Sequence, residues 1–176
     1  MRAGLIALLF AAVLTVDYPP GKWSAHLFQA SVFALGAVWA ARAIVRRESI
    51  AWHWTLVPVV CLAAWPWVQV AAGLSVYPAA TVSAAVGWSA NAMVFFLALQ
   101  LFGRRSERAR ARHALLCFGA VLSVVSAVQF FTSPGRIFWI FQTRYRDQVM
   151  GPFVSRDHYS AFVELLLPLA VVAALR

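Results

Sequence analysis

Long apolar runs recur along the whole chain, separated by short polar stretches, and this pattern limits the possible folds more than any other feature. Hydrophobic residues make up 62% of the 176 positions and charged residues 12%. The mean hydropathy is +0.75. A bilayer has a hydrocarbon core about 30 Å thick, which a helix of roughly 20 apolar residues crosses. Because lipid offers no hydrogen-bond partner to backbone groups, such segments must be helical. The sequence therefore predicts an all-α fold, a polytopic bundle of transmembrane helices.

This criterion predicts about six spans. They lie near residues 3–16, 24–45, 50–70, 81–102, 114–131 and 159–175. The first run is short, and its charged start at Arg2 is also typical of a secretory signal peptide. We interpret it as a retained helix, because no clean small-x-small cleavage site precedes Asp17. No repeat or low-complexity tract divides the chain, so residues 1–176 are predicted to form a single transmembrane domain.

Most arginines fall on one side of the predicted bundle if the spans alternate in direction. That side is the cytoplasm by the positive-inside rule, so the N-terminus is predicted to be cytoplasmic. The arginines concerned are Arg2, Arg42, Arg46, Arg47, Arg104, Arg105, Arg108, Arg110, Arg112 and Arg176. A net charge of +9 would suggest a nucleic-acid partner for a soluble protein. Here the arginine run at 104–112 is interpreted as a topological anchor that meets anionic lipid, and no nucleic-acid partner is predicted.

The predicted outer loop at residues 132–158 is an exception, because it also carries positive charge. Its arginines are Arg136, Arg144, Arg146 and Arg156, against only Asp147 and Asp157. A guanidinium group matches phosphate oxygens in pairs and stays charged when partly desolvated. The same loop contains an apolar stretch with Phe138 and Trp139, which suits the membrane interface. The pattern indicates a lipid-linked pyrophosphate ligand; the alternative is that these arginines meet lipid headgroups while the aromatic residues anchor the loop.

Two further residues are weak candidates for catalysis. Glu164 lies one to two turns inside the last predicted span, where a carboxylate is costly and therefore a functional candidate. Ser160, one turn earlier, or a loop arginine is its predicted partner, and a structural ion pair or a neutral carboxyl group is the alternative. His158 suits an acid, a base or a phosphate partner, but also a structural hydrogen-bonding group at the start of a helix.

The remaining sequence contains little that points to chemistry. Cys61 and Cys117 stand alone in apolar spans without the spacing of zinc ligands, so no metal site and no cofactor are predicted. Ser83, Gly87 and Asn91 recur every fourth residue, a spacing that favours close approach of another helix, and Gly119 is interpreted in the same way.

Residues 151–170, GPFVSRDHYSAFVELLLPLA, resemble a known motif. They are similar to the G-x-F-x-N-x-N-H-x-A signature, followed by L-P-L-A, of the O-antigen ligase and polymerase family. The chain departs from this pattern at Ser155 and Asp157, where the family favours Asn, and at Ser160, where it favours Ala. The residues that match the family pattern are Gly151, Phe153, Arg156, His158, Glu164, Pro168 and Leu169.

The resemblance implies a membrane glycosyltransferase of lipopolysaccharide or polysaccharide biosynthesis in the bacterial inner membrane. Such an enzyme moves a glycan from an undecaprenyl pyrophosphate carrier to a lipid or glycan acceptor at the periplasmic face. The loop arginines would hold the donor pyrophosphate, and Phe138 and Trp139 would border its lipid. The resemblance further implies that the chain is the N-terminal half of a longer protein, with the essential periplasmic histidine elsewhere, so residues 1–176 alone are expected to be inactive. The competing interpretation is a small transporter or accessory scaffold, with Glu164 and His158 as a relay.

Overall fold

The computed structural model describes residues 1–17, 23–143 and 149–175. Within these ranges the chain forms six helices and one two-stranded hairpin, and 75% of the described residues are helical. The predicted helical fold class is confirmed, whereas the hairpin was not predicted. The elements are α1 (Arg2–Leu14), α2 (Trp23–Arg46), α3 (Leu56–Ala71), α4 (Pro78–Leu101), α5 (Arg105–Thr132), β1 (Arg136–Ile137), β2 (Phe141–Gln142) and α6 (Arg156–Ala174).

Four helices in the described ranges are long and apolar enough to cross a membrane, namely α2, α4, α5 and α6. This identifies the chain as a membrane protein. The other two helices, α1 with 13 residues and α3 with 16, span about 20 and 24 Å at the helical rise per residue, which is less than the hydrocarbon core. Four of the about six predicted spans are therefore found as helices of sufficient length, and the crossing of α1 and α3 stays a prediction.

Two helix boundaries differ from the predicted spans for identifiable reasons. Helix α3 begins at Leu56 rather than near residue 50, because Ala51 is held outside the helix by Gln100. Ala51 N donates to Gln100 Oε1 at 2.9 Å, and Gln100 Nε2 donates to Ala51 O at 2.8 Å. Helix α5 begins at Arg105, well before the predicted span at 114–131. Arginine has a high helix propensity and Glu107 in the first turn suits the helix dipole, so the arginine run lies on this helix rather than in a loop.

The chain divides into two compact units, and the first consists of Met1–Leu8 and His26–Arg104. Its core contains Leu5, Trp39, Ala43, Leu97 and Leu101. Trp39 packs edge-on against Phe96, with ring centroids 5.0 Å apart. Gly36 of α2 leaves room for the Met93 side chain of α4, since an added Cβ would lie 2.8 Å from the Met93 sulfur. Gly87, which the sequence pattern singled out, has ordinary spacing instead, since its added Cβ would be 3.7 Å from Gln29 Nε2.

The second unit consists of Leu9–Ala25 and Arg105–Arg176. Aromatic rings connect its helices: Phe10 of α1 stacks on Phe118 of α5 at 4.0 Å, and Phe118 meets Phe162 of α6 edge-on at 6.3 Å. Gly119 gives α6 room to approach α5, because an added Cβ there would collide with Leu166. The predicted close approach at Gly119 is therefore found. The loop between α5 and α6 belongs to this unit and contains the candidate site.

Candidate functional site

A buried glutamine on α5 organises the described part of the loop. Gln129 is fully buried. Its Nε2 donates to Arg136 O at 2.7 Å and to Gly151 O at 3.3 Å, and its Oε1 accepts from Phe138 N at 2.9 Å. A buried amide must find such partners, and here they come from two separate stretches of the loop. Gln129 thereby ties both the hairpin and the segment before α6 to the end of α5.

The hairpin holds two aromatic residues in an unusual backbone conformation. Strands β1 and β2 pair in antiparallel register, with Ile137 opposite Phe141. Phe138 and Trp139 at the tip have φ angles of 47° and 64°. Bulky residues seldom adopt this left-handed region, and surrounding contacts must hold them there. Gln129 binds the Phe138 amide, and Trp139 Nε1 donates to Thr132 Oγ1 at 2.8 Å.

The same conformation turns apolar side chains outward. Trp139 is 41% exposed and the neighbouring Ile140 is 72% exposed. Phe138 is partly buried. The hairpin tip is therefore an exposed aromatic and aliphatic surface that hydrogen bonds from Gln129 and Thr132 connect to α5.

The segment Gly151–Phe153, at the start of the motif, forms a tight, buried turn. Met150 N donates to Phe153 O at 2.9 Å and Phe153 N donates to Met150 O at 3.0 Å. Gly151 has a φ of 60°, and an added Cβ would collide with the Ser126 hydroxyl on α5. Phe153 is buried, with its ring 5.6 Å from that of Phe162. Glycine and phenylalanine at this spacing are thus explained by backbone conformation and packing.

An aspartate near the end of α1 meets the first turn of α6. Asp17 Oδ2 accepts from Val154 N at 2.9 Å and lies 3.6 Å from His158 Nδ1. The Asp17 side chain is 22% exposed, whereas that of His158 is 62% exposed. Ser155 caps α6 by accepting from Asp157 N at 3.3 Å. His158 is therefore an accessible imidazole beside a sheltered carboxylate.

The predicted arginines separate into two groups. Arg136 on β1 and Arg156 at the start of α6 are both exposed, and the Arg156 guanidinium carbon lies 5.7 Å from the centre of the Phe130 ring. That distance is within the range of a cation–π contact, which orients the side chain. Arg144 and Arg146 lie outside the described residues. Through Gln129, the structure links the hairpin that carries Arg136, Phe138 and Trp139 to the turn that precedes Arg156.

Among the described residues, Glu164 has none of its predicted partners, while Arg144 and Arg146 lie outside the described ranges. Glu164 is exposed on α6, and no residue of that helix is buried by the rest of the described chain. The described residues provide its carboxylate with neither a hydrogen bond nor an ion pair, so the predicted contacts with Ser160, Arg136 and Arg156 are not formed. A carboxylate that faces outward from a predicted span needs a polar partner, which would have to be water or another molecule.

Sequence reasoning missed Asp17 and Gln129. Each stands alone among apolar residues, and its partners are remote in sequence: Val154 is 137 positions from Asp17, and Gly151 is 22 positions from Gln129. The only sequence signal for each of these two residues was its position, as a single polar residue near the outer end of a predicted span. In the described ranges, no three His, Cys, Asp or Glu residues lie close enough together to hold a metal ion.

No family model matches the sequence, and neither a curated protein nor a solved structure is significantly similar to it. The class to which the chain belongs is therefore defined by its own architecture. It is an α-helical membrane protein with a structured loop between its last two described helices.

Proposed function

We propose that the protein is a membrane glycosyltransferase of the O-antigen ligase or polymerase type. It transfers a glycan from an undecaprenyl pyrophosphate carrier to a lipid or glycan acceptor. The proposal puts the protein in the bacterial inner membrane, with a cytoplasmic N-terminus and the loop at residues 132–158 on the periplasmic face.

The observation that carries the proposal is the hydrogen bonding of Gln129 to both the hairpin and the Gly151 turn. This bonding favours a single surface that combines positive charge with apolar side chains. Arg136 and Arg156 supply positive charge suited to a pyrophosphate, while Trp139 and Ile140 supply an exposed apolar surface suited to a polyprenyl chain. A lipid-linked pyrophosphate has both parts.

A second argument comes from the motif itself. The resemblance over residues 151–170 rests partly on Gly151, Phe153 and His158, and each has a physical role in the site: a positive φ, a buried ring and an accessible imidazole. Gly151 and Phe153 shape the turn through backbone conformation and packing, and the accessible imidazole of His158 is the part of the motif that supports a site beside the turn.

The direct test is glycan transfer by the protein produced from its natural reading frame and placed in lipid nanodiscs. A radiolabelled glycan on undecaprenyl pyrophosphate should move to an acceptor oligosaccharide or lipid, with release of the carrier pyrophosphate. The double variant Arg136→Gln/Arg156→Gln should bind the donor more weakly and transfer less. The double variant Arg46→Gln/Arg47→Gln is a matched control, because those arginines are predicted to face the cytoplasm. Absence of transfer from every lipid-linked donor tested would reject the proposal.

Glu164 favours a second candidate function, a small transporter or accessory scaffold. An outward-facing carboxylate without a partner among the described residues suits a proton or substrate relay. Proteoliposomes loaded with a pH-sensitive dye distinguish the two functions. A transporter would produce proton or solute flux that Glu164→Gln abolishes, whereas the glycosyltransferase would produce none.

A further inference from the structure

We propose that Arg2 and Arg42 form a binding site for a phosphate group at the predicted cytoplasmic end of the first unit. The ligand is a phosphate whose negative charge is not compensated within its own molecule, either the headgroup of an anionic phospholipid or a free phosphate. The proposed glycosyl transfer involves the loop between α5 and α6, so this inference goes beyond that function and does not depend on it.

The site is a small cavity where three helices of the first unit meet. It has a volume of about 280 Å³ and is lined by Met1, by Arg2 and Ala3 of α1, by Arg42 of α2 and by Leu101 of α4. A water molecule takes up roughly 30 Å³ in the liquid, so the cavity has room for a phosphate group and several waters. The described lining contains two guanidinium groups and no carboxylate, which favours an anion.

The core of the first unit supports this cavity from below. Leu5 of α1, Ala43 of α2 and Leu101 of α4 are buried in one cluster. Arg2 lies one turn before Leu5, and Arg42 is the residue next to Ala43. Both arginines therefore extend from packed helices rather than from a loop, which reduces the conformational entropy that binding would cost.

Arg2 is oriented by the end of α4. Its Nε donates to Leu101 O at 2.8 Å. Leu101 is the last residue of α4, and the last carbonyl groups of a helix have no partner within that helix. The carbonyl group has no net charge, so this bond fixes the plane of the guanidinium without neutralising it. A guanidinium group held in this way suits the oxygens of a phosphate.

Arg42 has an acidic neighbour outside the cavity. Its Nη2 lies 3.3 Å from Oε1 of Glu48, and the two side chains are 46% and 38% exposed. Glu48 is placed there by the end of α2, where its backbone N–H donates to Ala43 O at 3.0 Å. An ion pair as exposed as this one is weak. A phosphate in the cavity therefore competes with Glu48 for Arg42, and the Glu48 carboxylate should lower the affinity.

Arg46 distinguishes a defined site from general attraction to a negatively charged membrane. It lies one turn after Arg42 on α2 and is exposed, but it does not line the cavity. Basic residues near an anionic membrane surface all contribute to such attraction, whatever their exact position. General attraction therefore predicts equal effects of Arg42 and Arg46, whereas the proposed site predicts a large effect of Arg42 alone.

The first experiment measures lipid binding by native mass spectrometry of the protein from its natural reading frame in an uncharged detergent. Phosphatidic acid is the probe, and phosphatidylcholine, whose choline compensates its phosphate, is the lipid control. Arg2→Gln and Arg42→Gln should each lower the affinity for the first phosphatidic acid by about 10-fold, the low end for a charge-assisted hydrogen bond, and Arg46→Gln by less than about twofold. Glu48→Gln should raise this affinity.

The second experiment identifies the source of the phosphate. Inorganic phosphate is titrated into the same protein by calorimetry. Binding that Arg42→Gln weakens and Arg46→Gln leaves unchanged would support the site and assign it to a free phosphate. Binding of phosphatidic acid alone, with the same dependence on Arg42, would support the site and assign it to a lipid headgroup.

Glu48→Gln keeps both arginines, so it tests the site even where loss of the bond to Leu101 O disturbs the fold of Arg2→Gln. Thermal unfolding without ligand identifies any such disturbance. Equal losses in Arg42→Gln and Arg46→Gln, binding of neither probe, or a lower affinity in Glu48→Gln would overturn the inference.

Discussion

At the scale of single residues, Gly151 has to satisfy two separate requirements. Its backbone has a φ of 60°, and its hydrogen atoms face the Ser126 hydroxyl where no Cβ fits. Gly73 has a similar φ of 67° but open space around it. The two glycines therefore share the conformational requirement and differ in the steric one.

This difference predicts the effect of alanine at the two positions. Gly73→Ala should destabilise the protein by about 1–2 kcal/mol, the cost of a left-handed conformation for a residue with a Cβ. Gly151→Ala should cost more, because α5 must also move away from the turn. Thermal unfolding in nanodiscs measures both losses. Equal losses would show that the contact with Ser126 does not constrain the turn.

Gln129 gives a second prediction for single residues. Gln129→Leu fills the same space but leaves Arg136 O, Gly151 O and Phe138 N without their partner, and each buried polar group left unsatisfied costs about 1–3 kcal/mol. Hydrogen exchange at residues 136–142 should become faster. Gln142→Leu is the control, since Gln142 is exposed on β2. Unchanged protection in Gln129→Leu would show that the hairpin folds independently of α5.

At the scale of elements, the hairpin and α6 differ in how far the sequence predicts them. The apolar run at 159–175 predicts α6 closely, because hydropathy alone determines where a span can lie. The hairpin at 136–142 has no turn residues such as Asn-Gly, and its tip carries Phe138 and Trp139 in conformations that glycine or asparagine would prefer. Hydrogen bonds from Gln129 and Thr132 of α5 override this local preference, so the sequence of the turn itself does not predict the hairpin.

The candidate site, too, is only partly predictable from the sequence. Sequence alone points to Arg136, Arg156, Phe138, Trp139 and His158, because positive charge is uncommon on an outer loop and aromatic residues suit the membrane interface. The groups that hold them, Asp17 and Gln129, act across large separations in sequence and emerge only in the folded chain.

The exposed hairpin tip predicts that Trp139 contributes to binding of the lipid part of the donor and not of its pyrophosphate. Trp139→Ala removes exposed aromatic surface and should weaken binding of undecaprenyl pyrophosphate while leaving the affinity for inorganic pyrophosphate unchanged. Trp65→Ala, which removes an exposed ring from α3, is the control. Calorimetry in nanodiscs gives both affinities. Equal weakening for the two ligands would mean that Trp139 supports the charged site rather than the lipid.

At the scale of the whole molecule, the arginine distribution predicts the topology. A reporter fused after Arg108 should be active only in the cytoplasm, and one fused after Arg144 only in the periplasm. The four long apolar helices are compatible with this arrangement. Helix α3 must also cross for Arg42, Arg46 and Arg47 to face the cytoplasm, and α1 must then cross for the N-terminus to be cytoplasmic as well. Reporters active in the same compartment would show that the span count between the two fusions is wrong.

The central claim is that the loop between α5 and α6 binds a lipid-linked pyrophosphate, and donor affinity in nanodiscs tests it most directly. Undecaprenyl pyrophosphate should bind the wild type more tightly than undecaprenol, which has no phosphate. Arg136→Gln and Arg156→Gln should each lower that affinity by roughly 10- to 150-fold, which corresponds to about 1.5–3 kcal/mol for a charge-assisted hydrogen bond. Equal affinity for the two lipids, or unchanged donor affinity in both variants, would contradict the claim.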